Sequence, residues 1–199
     1  MKRLGWIIVP IILVAGGLAF FGLDFPRLSS NDMAPTLRKG DLVLACRVCG
    51  ALDRGDVVLF SPPEKPGELQ FRRVVAIPGD KVEVRKGRVL VNGAPLVAED
   101  GGTVQLDLDG LGAGAHNFRV NIESTGAHRY RVLRDFSVPD SGDRAAETLA
   151  DSYFLLADRR TLAADSREFG PVPRSRIRSR ALRVLSAGDS DAARQTRLP

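Results

Sequence analysis

The sequence predicts a mainly β domain that follows one hydrophobic N-terminal segment. Short apolar runs, alternating or rich in β-branched residues, recur along the chain, and Gly-Asp and Asn-Gly pairs separate several of them. No comparable stretch repeats its apolar residues with the period of a long amphipathic helix. The strand-like runs are, in order, DLVLACRV, DVVLF, RRVVAI, KVEVRKGRVLVNG, HRYRVLRDFSV, SYFLLA and RIRSRALRVL.

The N-terminal segment has the length and polarity of a membrane anchor. Lys2 and Arg3 precede an uncharged run, residues 4–23. As a helix this run rises about 30 Å, the thickness of a bilayer's hydrocarbon core. We therefore expect residues 1–23 to be a single-pass anchor in the plasma (inner) membrane, with a cytoplasmic N-terminus and an extracytoplasmic remainder. A cleaved signal peptide is the alternative, disfavoured because no clear A-x-A site is present.

The rest of the chain predicts one domain over residues 24–186. The chain is 44% hydrophobic and 27% charged, which is the composition of a globular protein. Between about 99 and 151, Gly-rich interruptions weaken the strand pattern and predict an inserted smaller subdomain. Residues 187–199 are polar and aperiodic, and they are predicted to form a disordered tail.

The net charge of +5 is concentrated near the C-terminal end. From Val172 onwards the sequence contains seven arginines and only two acidic residues, Asp189 and Asp191. This basic strand and tail are expected either to contact anionic membrane lipids or to form a solvated charged edge that prevents wrong pairing. Nucleic acid is excluded as a partner because aromatic residues are not interleaved with the arginines.

The two cysteines form a C-R-V-C pair. Outside the cytoplasm, Cys46 and Cys49 can close a small disulfide. A redox role requires a thiolate at a helix N-terminus, whereas this pair lies in a strand-like stretch. A single CxxC is weak support for zinc, and the sequence predicts neither a metal site nor a cofactor.

Three short stretches occur in order after the anchor. They are SNDMAPTL at 30–37, RRVVAIPGDKV at 72–82 and ADRRTLAADSR at 157–167. They resemble the signature boxes S-x-S-M-x-P-T-L, K-R-V-x-G-x-P-G-D and G-D-N-R-D-N-S-x-D-S-R of bacterial type I signal peptidases (leader peptidases), which are serine–lysine dyad endopeptidases. The resemblance covers most of residues 24–185.

The resemblance implies a fold and a set of residue roles. It implies a β-rich catalytic core with an inserted subdomain, on the outer face of the membrane, where active members cut signal peptides from exported proteins. Aligned with the boxes, Asp32 occupies the nucleophile position, Arg72 the general-base position and Ser30 the oxyanion position. Ala163 replaces the serine that orients the lysine. The box residues predicted to be structural are Met33, Pro35, Gly79, Asp80, Asp158, Asp165, Ser166 and Arg167.

The substitutions remove the chemistry of the dyad. Arginine stays protonated and has no acceptor, and Asp32 has no hydroxyl. We therefore expect the chain to be catalytically inactive, with Asp32 and Arg72 forming a bidentate ion pair. We expect Ser30 to be a turn hydroxyl that bonds nearby backbone rather than a remnant of the oxyanion hole.

No other lysine or histidine occupies a sequence position that would let it replace a residue of the dyad. None of the five lysines is in register with the base, and His116 and His128 lie in the weakly patterned insertion. An aspartic pair of Asp32 with Asp158 or Asp165 is opposed by Arg72, which favours ionised carboxylates.

Three functions follow from this pattern. The first is a non-catalytic homologue that binds an extended peptide as an added strand, its partner being a signal peptide, an exported or surface protein, or an active signal peptidase. The second is an active signal peptidase that uses an unorthodox site. The third is a thiol-redox module built on the cysteine pair.

Overall fold

The computed structural model describes residues 22–47, 49–108, 114–125, 128–135, 142–161 and 163–188. In these ranges the chain forms fourteen strands, one four-residue helix and a 3₁₀ turn, so the mainly β prediction is confirmed. The strands are β1 Leu23–Asp24, β2 Leu42–Cys46, β3 Val57–Phe60, β4 Gln70–Ala76, β5 Lys81–Arg85, β6 Arg88–Val91, β7 Ala94–Pro95, β8 Val97–Leu106, β9 His116–Thr125, β10 His128–Asp135, β11 Arg144–Thr148, β12 Ser152–Leu156, β13 Val172–Pro173 and β14 Ile177–Ser186. The helix, α1, is Ser166–Phe169, and the 3₁₀ turn is Arg174–Arg176.

Both ends of the chain lie largely outside the described residues. Of the predicted anchor, 1–23, only residues 22 and 23 are described, and of the predicted tail, 187–199, only 187 and 188. Among the helices of the described ranges, none has the length and apolar character needed to cross a bilayer.

A seven-stranded sheet, in the order β1-β2-β14-β3-β4-β12-β13, forms the largest layer. Its central strands are buried on both faces because their side chains alternate between two apolar clusters. Val57 and Leu59 pack in one cluster, with Met33 of the first box, while Val58 and Phe60 pack in the other. The first cluster therefore fixes the first box against one face of this sheet.

The basic C-terminal strand lies inside this sheet, so the expectation of a charged edge is wrong. β14 pairs with β2 on one side and with β3 on the other. Two of its arginines donate hydrogen bonds to nearby carboxylates: Arg178 to Asp24, and Arg180 to Asp56. Local sequence does not reveal this position because the partners of β14 are distant in the chain.

Asp24 supplies a testable pH dependence at the start of the domain. A hydrogen bond from Arg47 lowers the pKa of Asp24 from 3.8 to about 2; burial opposes this effect and Arg178 adds to it. A carboxyl whose folded pKa is depressed stabilises the fold above its unfolded pKa, and this stability is lost as pH falls through the folded value. We expect Asp24→Asn to weaken the loss of stability between pH 4 and pH 2, measured by urea unfolding at each pH. An unchanged pH dependence would contradict this assignment.

The disulfide that the sequence allows is present. Cys46, at the end of β2, is joined to Cys49, with a Cα–Cα distance of 5.8 Å. Arg180 donates to the carbonyl oxygen of Cys49, which attaches this turn to β14. The pair ends a strand rather than starting a helix, as the sequence indicated.

A four-stranded sheet, β11-β5-β6-β7, packs on the first through valines of β5 and β6. The turn before β5 contains Gly79, whose φ of 93° favours glycine. Asp80 accepts hydrogen bonds from the N–H of Ile77 and from Asn92, and it pairs with Arg54. Burial acts to raise the pKa of Asp80, but these bonds outweigh it and the net pKa is lowered. Gly79 and Asp80 are thus structural turn residues.

Strands β8, β9 and β10 form a third sheet in the order β10-β9-β8. Phe118 and Leu133 of this sheet cluster with Ala34 of the first box. Leu133 also forms a parallel bridge with Arg159 of the third box. The segment predicted as an insertion, about 99–151, thus supplies most of this sheet and also β11, which joins the four-stranded sheet. Its status as a subdomain stays a prediction.

Candidate functional site

The first box forms a turn between β1 and β2 that places Asp32 at the surface. Met33 and Leu37 are buried in the apolar cluster below it, and the N–H of Leu37 bonds the carbonyl of Met33. Pro35 follows Ala34 through a cis peptide bond. Its neighbour Met33 is buried in the core, whereas the Asp32 side chain is 28% exposed.

Arg72 lies on β4 opposite this turn and is almost fully enclosed. Its side chain is 2% exposed, and its Nη2 atom is 3.0 Å from Oδ2 of Asp32. The ion pair predicted from the sequence is therefore present. The prediction of a bidentate pair is wrong, because Nε and Nη2 of Arg72 both donate to the carbonyl oxygen of Ala164, at 3.1 and 2.8 Å.

The remaining contacts of Arg72 also involve its own strand. Nη1 donates to the carbonyl of Phe71 at 2.7 Å, and Nη2 donates to the side-chain oxygen of Gln70 at 3.0 Å. All three guanidinium nitrogens are thus engaged by the protein. The group at the general-base position acts as a donor that ties β4 to the third box.

The third box is held by its own polar network, as predicted. Asp165 caps α1 by accepting from the N–H of Arg167, and the Arg167 side chain returns two bonds of 2.8 Å to the same carboxylate. The Ser166 hydroxyl accepts from the N–H of Leu155. Ala163, at the position of the orienting serine, is nearly buried and lines the space beside Arg72.

Asp158 is committed to a second, fully buried ion pair. Arg73 contacts it through two bonds, of 2.8 and 2.6 Å, and both side chains are 0% exposed. The Thr36 hydroxyl also donates to Asp158, and the Arg73 guanidinium lies 4.1 Å from the ring centre of Tyr130. This cluster joins all three boxes. The Asp158 carboxylate is therefore held by Arg73 and Thr36, which assigns it a structural role.

Another buried ion pair attaches the third sheet to the third box. Arg160 of the third box pairs with Glu123 of β9, and both side chains are buried. Burial acts to lower the pKa of Arg160, but the charge of Glu123 outweighs it and the net pKa is raised. The neighbouring Arg159 donates its N–H to the carbonyl of Asp32 at 2.9 Å.

Two cavities meet at Asp32. The first, of about 360 Å³, lies along the chain before Asp32 and reaches Leu59 and Phe71, and the second, of about 230 Å³, extends to Ala163, Ala164 and Phe169. Asp32, Lys65 and Gln70 line both. We call the two together the cleft. Both cavities border Asp32, the residue that aligns with the nucleophile position.

Ser30 is exposed and lines the first cavity. Its hydroxyl forms no hydrogen bond with another residue of the described ranges. The expectation that this hydroxyl bonds the nearby backbone is therefore wrong. The side chain faces the cleft instead.

Lys65 is a cleft residue that the sequence did not reveal. It lies in the β3–β4 hairpin loop, outside the three boxes, and local sequence does not show that this loop folds over Asp32. Its side chain is 64% exposed and lies 3.5 Å from Glu68. A lysine base depends on burial, which this position lacks. The Ala164 carbonyl was also missed, because a backbone acceptor has no signature in the sequence.

Comparison with known proteins agrees with the three boxes. A family described as "Signal peptidase, peptidase S26" matches residues 1–185. "Probable signal peptidase I-2" of Synechocystis is 27% identical over 187 residues, covering 90% of this chain and 70% of that protein. "Signal peptidase I" of Pseudomonas aeruginosa is 30% identical over 183 residues, covering 79% of this chain and 59% of that protein.

A solved structure of a signal peptidase I from Enterococcus faecalis covers 69% of this chain and 98% of its own, with a TM-score of 0.37 and 19% identity. The family match extends over nearly the whole chain, including all three boxes. The chain therefore belongs to the signal peptidase family, peptidase S26.

Proposed function

We propose that this chain is a membrane-anchored, catalytically inactive homologue of signal peptidase I that binds signal peptides of exported proteins in its cleft. Residues 1–23 form the anchor, the β domain with its inserted subdomain lies on the extracytoplasmic side, and the arginine-rich segment from Val172 onwards contacts anionic lipids. The observation that carries the proposal is the ion pair of Asp32 and Arg72 at the two dyad positions.

The contacts of this pair are incompatible with serine–lysine proteolysis. Attack on a peptide bond in that mechanism requires a hydroxyl and a neutral base within hydrogen-bond reach. Arg72 has no acceptor atom, and its donors are directed to Asp32, Gln70 and two backbone carbonyls. Asp32 has a carboxylate in place of the required hydroxyl, and this carboxylate is paired with the Arg72 guanidinium.

Peptide binding does not depend on the lost groups. An extended peptide gains affinity from main-chain hydrogen bonds and from pockets for alternate side chains. The cleft keeps two adjoining cavities, and their walls are fixed by the apolar cluster under Met33 and by the network of the third box. These features support binding of signal peptides, of other exported or surface proteins, or of an active peptidase carrying such a segment.

The test is a turnover assay with a fluorogenic signal-peptide substrate. We expect the full chain, purified in detergent from a source from which active signal peptidase has been excluded, to give no more cleavage than a protein-free blank. An active type I signal peptidase under the same conditions is the positive control. Turnover that co-purifies with this chain and disappears on Asp32→Ala would overturn the proposal.

An active endopeptidase is the second candidate. It is favoured by one observation: Ser29, Ser30 and Lys65 line the same cavity. If Lys65 formed an alternative dyad with Ser29 or Ser30, any turnover would be lost in Lys65→Met and retained in Lys81→Met, which changes an exposed lysine outside the cleft. Turnover that is absent in the unaltered chain excludes this candidate.

A further inference from the structure

The carboxylate of Asp32 has one oxygen committed and one available. Oδ2 accepts from Arg72, whereas Oδ1 accepts no hydrogen bond within the described ranges. Oδ1 is not enclosed by the protein, and the Asp32 side chain is 28% exposed. An accessible carboxylate oxygen therefore stands where the two cavities meet.

The positive groups around this oxygen have partners within the protein. Arg72 is 2% exposed, and its nitrogens already donate to protein acceptors. Arg159, whose charge interacts with that of Asp32, is 4% exposed. Lys65 is exposed and pairs with Glu68 at 3.5 Å. The second cavity also contains Glu64, which is exposed and pairs with no residue in the described part of the chain. The accessible unpaired charge of the second cavity is therefore negative.

The second cavity also offers one neutral acceptor. The side-chain oxygen of Gln70 lines it and accepts one bond from Arg72, which leaves a further lone pair, whereas the Ala164 carbonyl already accepts two bonds from Arg72. A carboxylate beside an amide oxygen matches a donor with several hydrogens and a positive charge. It repels a carboxylate, such as the C-terminus of a cleaved signal peptide.

We propose that the second cavity binds a primary ammonium group carried by the peptide, against Oδ1 of Asp32 and beside Glu64. This inference rests on the proposed function, because it names the ligand chemistry of the same cleft. The ammonium group is either the α-amino group at the start of a chain or the side chain of a lysine. In both cases the carboxylate at the former nucleophile position selects charge where a serine hydroxyl could not.

The experiment is calorimetric titration of the full chain in detergent with three synthetic peptides of one signal-peptide-like sequence. One is capped at both ends and uncharged, one has a free N-terminus, and one is capped and carries a lysine. We expect at least one ammonium-bearing peptide to bind about fivefold more tightly than the uncharged peptide, the size of a partly exposed charge pair. The two ammonium arms identify the source of the group.

Variants assign the preference to the cavity. The preference is the ratio of the affinities for the ammonium-bearing and the uncharged peptide, and we expect Asp32→Asn to abolish it and Glu64→Gln to reduce it. Asp151→Asn, a change of an exposed aspartate outside the cleft, is the matched control and should leave it unchanged. If Asp32→Asn does not fold, an unchanged preference in Glu64→Gln overturns the assignment.

The possible failures are distinguishable. Equal affinities for all three peptides overturn the ammonium site and leave peptide binding intact. Binding of none of the three overturns the proposed function itself. A preference that survives both Asp32→Asn and Glu64→Gln places the ammonium group elsewhere and also overturns the inference.

Discussion

A triple variant, Asp32→Ser with Arg72→Lys and Ala163→Ser, is expected to cleave a signal-peptide substrate at least about a hundredfold faster than the protein-free blank. General-base assistance alone contributes about this much or more to such reactions. The three changes restore the residue types that the family boxes carry at the nucleophile, base and lysine-orienting positions.

The structure gives physical reasons for this gain. The position of Arg72 is nearly closed to solvent, and burial lowers the pKa of a lysine towards the range where it can act as a base. Removing Asp32 also removes the carboxylate that would otherwise hold a lysine in its charged form. Ala163 lines the same cavity, so a serine there lies on the same side as the new lysine.

The matched control carries Asp32→Ala in place of Asp32→Ser, with the other two changes retained. It keeps the base and lacks the nucleophile, so its turnover should equal the blank. Both variants are first compared by circular dichroism and thermal unfolding. A folded triple variant no faster than its control contradicts the idea that the cleft keeps a productive geometry.

The second large effect concerns stability. Asp158→Asn is expected to lower the free energy of unfolding by about 3–5 kcal/mol, because it leaves the Arg73 charge enclosed without its counter-ion. Neither side chain of this pair reaches solvent. The same estimate is too large for Asp32→Asn, because Asp32 is partly exposed and Arg72 keeps its bonds to Ala164 and Phe71.

Urea unfolding of the full chain measures this difference. The control is Glu99→Gln, which breaks a pair with Arg129 whose two side chains are more than half exposed, and which should cost less than about 1 kcal/mol. Replacing both partners of the buried pair, as Asp158→Leu with Arg73→Met, should recover much of the loss. Equal destabilisation by Asp158→Asn and Glu99→Gln would show that the buried pair is not a main stabilising element.

Local patterns predicted most of the strands but not their arrangement. Alternation in KVEVRKGRVLVNG corresponds to the β5–β6 hairpin, and VVLF with its buried neighbours corresponds to β3. The interior position of β14 was missed, because the order of strands in a sheet depends on pairing between distant segments. The charge of its arginines indicated an edge, yet Asp24 of β1 and Asp56, which immediately precedes β3, accept their hydrogen bonds.

The candidate site was predicted in its composition and only in part in its geometry. Charge complementarity was sufficient to pair Asp32 with Arg72. The single contact in place of a bidentate one depends on the Ala164 carbonyl, which only the folded third box places there. The hairpin loop that carries Lys65 follows from long-range packing for the same reason.

The interior position of β14 has a consequence for how the domain assembles. Register joins Arg180 to Cys46 on one side and to Val58 on the other, so the central pairings close very large loops of chain. Pairings between such distant segments form slowly and late. Until Ile177–Ser186 inserts, β2 and β3 each present an open edge to other polypeptides. A chain shortened before β14 is therefore expected to aggregate rather than to fold into a smaller version of the domain.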